Sequence, residues 1–251
     1  ASNDIHTIPI CLNRITNTRW ANFGGRGFNS TQEVILCMLH APKKIRTICV
    51  FSGVNNLTLA LLSKKCSPIY NSLFYKDETA LEQQVKRLMG LEITKEKAIK
   101  SIAYWFGLTV GVAKKAGTDI WEKENYENIL QCFRRDLGLL KMLASSRGAS
   151  INFVLQPLES WLDKRLSREE ETLFDLLNCL SWDWSFLQAR ICEYKEIYFS
   201  DIKKICNELN VSYFNMNLAP EFLEDEWLFV DRVHLTDKGC DLSARIIKRE
   251  F

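Results

Sequence analysis

The chain has 251 residues, 47% of them hydrophobic and 25% charged, an ordinary balance for a globular protein of one large α/β domain or two small ones. A formal net charge of +2 leaves no broad electrostatic footprint for nucleic acid. No apolar run approaches the roughly 18 residues needed to span a bilayer; the nearest, Ile102 to Ala113, is broken by Gly107 and Gly111.

Ala1-Ser2-Asn3-Asp4 carries no initiator methionine, basic n-region or apolar h-region, so the reading is a processed chain or one that begins partway through a longer polypeptide. Trp20 to Phe23 predicts a short strand running into the glycine turn Gly24-Gly25-Arg26-Gly27. Ser30-Thr31-Gln32-Glu33 has the spacing of a capping box and predicts a helix with Val34, Ile35, Met38 and Leu39 on one face. Thr47 to Phe51 is a continuous apolar run ending at Ser52-Gly53, as in a strand buried on both faces.

Residues from about 58 to 125 break the alternation and read as a helical insertion over the site end of the sheet, or as a pair of ordinary covering helices. A helix is expected from about Tyr126 to Ala144, and a strand over Ile151 to Leu155 before Gln156-Pro157. Helical periodicity from Glu169 to Asn210 is expected to break near Phe199-Ser200. Val211 to Met216 predicts a third apolar strand, and Thr236 a cap for a last helix with Cys240, Ala244 and Ile247 on one face. The nine cysteines are scattered, with no C-x-x-C pair, which points to reduced thiols and a cytoplasmic protein over a disulfide framework or a zinc site.

Strands alternating with helices imply a mostly parallel sheet covered on both faces, with its site at the C-terminal strand ends. Three features fall there. Asp231 stands three residues before His234, one of only three histidines, where it can fix the ring tautomer; the plain alternative is a capping aspartate beside a surface histidine. Gly27 lets a backbone N–H approach a substrate oxygen at a helix start, or simply serves a turn that needs positive φ. Asn55, two residues after Gly53, offers amide donors at the sheet edge, or closes its own turn as Asn56 does.

Taken in order, Gly27 within Gly27-Phe28-Asn29-Ser30, Asn55 within Gly53-Val54-Asn55-Asn56, and Asp231-Arg232-Val233-His234 followed by Leu235-Thr236 and Gly239 resemble the motifs of the SGNH (GDSL-type) hydrolases, from about Pro9 to Ile247. The resemblance implies a flavodoxin-like three-layer α/β/α fold in one domain over 1–251, with the insertion at about 58–125. It implies a serine-dependent esterase or acyltransferase acting on a small-molecule or glycan ester, without cofactor or metal. In that chemistry His234 moves the proton, Asp231 orients it, and Gly27 and Asn55 hold the oxyanion. The alternative is an inactive relative that binds or regulates.

Asn56 stands where the family often has aspartate. No Gly-x-Ser turn precedes Gly27, so the first strand and the nucleophile serine are expected upstream of residue 1; a sheet without that strand would leave backbone groups unpaired. A flavodoxin-like phosphate loop at Gly24 to Gly27 lacks the Gly-Lys-Ser/Thr signature, and three dispersed histidines give no metal-ligand spacing. Oligomeric state is not legible in the sequence.

Overall fold

A computed structural model describes residues 6–25, 27–62, 120–180 and 182–251. Most of the expected insertion, residues 63–119, lies outside the described residues, as do Ala1 to Ile5; residues 58–62 and 120–125 belong to the helices on either side. The described residues form a three-stranded parallel sheet in the order β1-β2-β3, with β1 Thr47–Ser52, β2 Ser150–Leu155 and β3 Ser212–Asn215. Register runs from Thr47 opposite Ser150 to Ser52 opposite Leu155, and from Asn152 opposite Ser212 to Leu155 opposite Asn215. All strands point the same way, so their C-terminal ends share one edge.

Among the described residues eight α-helices accompany the sheet: α1 Ile8–Ile15, α2 Ser30–His40, α3 Val54–Leu62, α4 Ile120–Ser146, α5 Arg168–Leu180, α6 Trp182–Glu193, α7 Lys195–Glu208 and α8 Asp237–Glu250. None of the described helices is long and apolar enough to cross a membrane. The period-2 alternation of the strands divides the core. Val50, Ile151, Phe153 and Leu155 pack with α2, α3, α4 and α7 on one face. Cys49, Phe51, Val154 and Phe214 pack with α1, α5 and α8 on the other. Helices thus cover both faces, the condition under which a parallel strand can be apolar throughout.

Several expectations shift. Trp20 to Phe23 is irregular: Asn13 takes both backbone groups of Trp20, donating to its carbonyl at 3.0 Å and accepting its N–H, while the indole N–H donates to Thr16 Oγ1 at 3.2 Å. The backbone groups a strand would use are occupied by a helix side chain. The α2 cap is Asn29 rather than Ser30, with a reciprocal box to Gln32 at 3.1 Å in each direction. The buried face of α2 carries Val34 and Cys37, and Ile35, Met38 and Leu39, expected on the same face as Val34, are exposed. The break expected at Phe199-Ser200 falls instead at Tyr194, between α6 and α7, because Tyr198, Phe199 and Ile202 form one continuous buried face of α7. Thr236 caps α8 as expected, accepting Gly239 N–H at 3.1 Å.

At the exit of β1, Ser52 Oγ donates to Glu33 Oε1 at 2.6 Å. Burial of the Glu33 carboxyl pushes its pKa up to about 7; the bond from Ser52 opposes that rise and the Asp136 charge adds to it. Between an unfolded value near 4.5 and the folded value of about 7, the folded chain holds a proton that the unfolded chain releases. Stability from this group is therefore fully present below that window, falls as pH rises through it, and is flat above. Glu33→Gln keeps an acceptor for Ser52 and removes the titration. Urea unfolding at pH 5 and pH 8 should show the variant gaining on the parent at the higher pH, by at most about 3 kcal/mol; parallel pH profiles would refute the assignment.

Candidate functional site

The chain leaves β1 through Gly53, whose φ is 120° and whose carbonyl accepts the buried Tyr198 hydroxyl at 2.6 Å. A Cβ at this position would meet Leu155 Cδ1 at 2.5 Å, so the close approach of β1 and β2 at their exits requires glycine. The turn starts α3 at once and sets Asn55 and Asn56 at its first turn.

Asn55 is half-buried and its Nδ2 donates to Phe28 O at 2.7 Å. Two sequence-predicted donors are thus brought to one place, since Phe28 adjoins Gly27, whose φ is 67°. Among the described residues no acceptor takes the Gly27 N–H or the second Nδ2 hydrogen of Asn55. The N-terminus of α2 follows within three residues and adds positive potential. The glycine turn therefore reaches the strand ends through Asn55, not by following a strand of its own.

Asn56 does different work. Its Oδ1 accepts Ser30 N–H at 3.0 Å and its Nδ2 donates to Ser30 Oγ at 2.9 Å, while Ser30 Oγ donates onward to Asp136 Oδ2 at 2.7 Å. Asn56 and Asp136 are each only 1% exposed. Asp136 also accepts Thr31 Oγ1 at 2.7 Å and pairs with Arg135. Because the Ser30 hydroxyl gives its hydrogen to Asp136, its lone pair needs a donor, and only the amide supplies one. The carboxylate of this network comes from α4, which accounts for asparagine at position 56.

His234 lies at the tip of a narrow hairpin. Thr236 N–H donates to Leu228 O at 2.8 Å, Val230 N–H to His234 O at 2.9 Å, and Phe229 bridges Leu235 in antiparallel fashion. Within the tip the two oxygens of Asp231 divide their tasks. Oδ1 accepts the N–H groups of Val233 at 2.8 Å and His234 at 2.7 Å; Oδ2 meets His234 Nδ1 at 2.7 Å. An ionised carboxylate only accepts, so Nδ1 carries the hydrogen and Nε2 is the basic nitrogen. Burial alone would raise the Asp231 pKa, but the ring hydrogen bond, the two backbone N–H groups and the imidazole charge outweigh it and hold it below the ordinary value. The His234 side chain is 62% exposed.

The hairpin tip is anchored over the strand exits. Glu159, four residues beyond β2, donates its N–H to Arg232 O at 3.2 Å, and its carboxylate accepts Arg232 Nη1 at 3.0 Å. Val233 packs against the core cluster that contains Val54, Leu155 and Leu158. Both pairs, Gly27 with Asn55 and Asp231 with His234, are thereby fixed to the exits of the adjacent strands β1 and β2. Exits of neighbouring strands are about 5 Å apart in the hydrogen-bonding direction.

Sequence reasoning missed the buried carboxylates beneath this edge, Glu33, Asp136, Glu159 and Glu170. One signal was available: Ser167-x-x-Glu170 is a capping box, with Glu170 N–H donating to Ser167 Oγ at 3.3 Å and Ser167 N–H to Glu170 Oε2 at 3.0 Å. Among the described residues no group of three or more His, Cys, Asp and Glu side chains could hold a metal ion. Burial pushes the Cys49 and Cys206 thiols up to about 12, so neither supplies a thiolate near neutral pH.

No family model matches the chain, and no characterised protein matches it by sequence. The asparagine at 56 gives a direct test of the site's wiring. Asn56→Asp withdraws the donor to Ser30 and brings a second carboxylate beside Asp136, so thermal unfolding should show a loss of about 1–3 kcal/mol. Asn56→Asp combined with Asp136→Asn restores one donor and one charge and should recover part of it; a neutral single variant would contradict the network.

Proposed function

We propose that this chain carries the histidine–aspartate pair and the oxyanion donors of an SGNH-type ester hydrolase or acyltransferase, on a flavodoxin-like α/β/α fold. The observation that supports it most is the division of labour at Asp231. One oxygen holds the loop and the other holds the ring, which makes a capping aspartate and an orienting aspartate the same residue. An imidazole whose Nδ1 hydrogen is held by a carboxylate in this way keeps its basic lone pair on Nε2, the tautomer a general base needs.

In this mechanism His234 Nε2 accepts the hydroxyl proton of the serine nucleophile as Ser Oγ bonds to the ester carbonyl carbon. The carbonyl π electrons move to oxygen, and the Gly27 N–H and the second Asn55 N–H hydrogen-bond the resulting oxyanion. Collapse re-forms the carbonyl and breaks the ester C–O bond, and His234 returns its proton to the departing alcohol. Water or a second alcohol then attacks the acyl-serine, with His234 again taking a proton. Asp231 stays ionised throughout and stabilises the imidazolium. The substrate class is a small-molecule or glycan O-acyl ester; the serine is the residue that peptide mapping has to locate.

Turnover of a short-chain nitrophenyl ester tests the reading. His234→Ala should lower kcat/KM by about 10²–10⁴-fold. Asp231→Asn should also lower it and should move the acid limb of the pH–rate profile to lower pH, because a neutral neighbour no longer favours the imidazolium. Asp231 itself is held below the ordinary carboxylate value by its N–H donors, so it contributes no limb in the neutral range. Full activity in His234→Ala would overturn the proposal, and ligand binding without any turnover would assign the fold to a binding protein.

A further inference from the structure

Beneath the His234 hairpin lies a fully buried ion pair that the proposed mechanism does not use. Lys164 and Glu170 have 0% side-chain exposure, and Lys164 Nζ stands 2.8 Å from Glu170 Oε2. The pair does not close on itself. Glu170 Oε2 also accepts Ser167 N–H at 3.0 Å, Oε1 accepts the N–H groups of Leu228 at 3.0 Å and Phe229 at 3.1 Å, and Lys164 donates to Glu226 O at 2.8 Å.

Two features separate this from an ordinary structural ion pair. Successive N–H groups of an extended strand point to opposite sides, so two consecutive ones converging on a single oxygen set a bend that a ladder partner would not impose. The bent residues are also the ones that build the hairpin. Leu228 O accepts Thr236 N–H, and Val230, one residue beyond Phe229, donates to His234 O. From Glu170 to the histidine backbone there are two hydrogen-bonded steps. The same helix reaches the tip a second way, since the Arg232 guanidinium lies 4.9 Å from the Phe174 ring centroid and bonds Glu159. A buried ion pair contributes little net stability compared with an apolar pair of the same volume, and its attested use is to specify one geometry.

We infer that Glu170, with Lys164, is a positioning residue for His234: it sets the angle of the hairpin, and through it the Asp231–His234 hydrogen bond. The inference rests on the reading of His234 as the proton-transfer group. Glu170→Gln preserves size and one acceptor oxygen but cannot accept at both ends. The double variant Lys164→Met with Glu170→Gln removes both buried charges together and guards against unfolding by an unpaired lysine.

The test is proton NMR of the imidazoles, run beside ester turnover. The chain has three histidines, so the His234 signals are assigned by their disappearance in His234→Ala. In both variants the downfield Nδ1 proton of His234 should weaken or vanish and the ring should titrate at lower pH. In turnover, kcat should fall about tenfold or more, with KM within about twofold. Folded variants with an unchanged Nδ1 resonance and unchanged titration would overturn the inference. The two readings separate cleanly. A His234 signal that responds to Glu170 in a protein without turnover keeps the positioning role and removes the esterase; His234-dependent turnover untouched by both variants does the reverse.

Discussion

The arrangement depends on a turn that admits no side chain. At Gly53 the backbone adopts a φ of 120°, the Leu155 methyl occupies the space a Cβ would need, and a buried tyrosine hydroxyl caps the carbonyl. β1 and β2 run in register to their last residues, Ser52 opposite Leu155, immediately before this turn. Once they do, α3 must begin at the strand exit, and the two asparagines of its first turn fall against the residues leading into α2. A parallel sheet gathers its exits at one edge, so the hairpin bearing His234, tied to the chain after β2, meets the same edge.

Around that edge the molecule holds its irregular backbone with buried carboxylates where a regular ladder is not available. Asp136 organises the start of α2, Glu159 grips Arg232 by side chain and main chain, and Glu170 supports the bend before the hairpin. Their environments differ. Glu33, with one hydroxyl donor and a neighbouring negative charge, titrates near neutrality, at about 7. Asp231, with three N–H donors, is held below the ordinary carboxylate value despite its burial. The same chemical group therefore titrates near neutrality at one strand exit and serves as a charged partner for imidazole in the hairpin.

Much of this was legible in the sequence, and the reasons for the rest are local. The three strands were visible as plain apolar runs, as in Thr47 to Phe51 and Ile151 to Leu155, but only β2 is buried nearly throughout, while β1 and β3 are largely half-buried. Asp231 and His234 were legible because both ends of their contact lie within one turn, so spacing alone implies it. Asn55 was found as a donor, but its partner, the Phe28 carbonyl, is 27 residues away and has no sequence signature. Trp20 to Phe23 looked like a strand because periodicity cannot report that Asn13 takes the backbone bonds. Asn56 reaches a buried carboxylate through Ser30, but that carboxylate, Asp136, lies 80 positions on and has no local sequence signature. The Lys164–Glu170 pair bonds a loop 58 to 62 residues away, and only its Ser167 cap was written locally.

The most direct measurement is reaction of the full natural polypeptide with a fluorophosphonate probe, followed by peptide mapping, in the parent and in His234→Ala. One serine should be labelled in the parent, and that label should be lost when the imidazole is removed. A parent protein with no labelled serine, or a label that persists undiminished without His234, would contradict a proton-transferring histidine at this sheet edge.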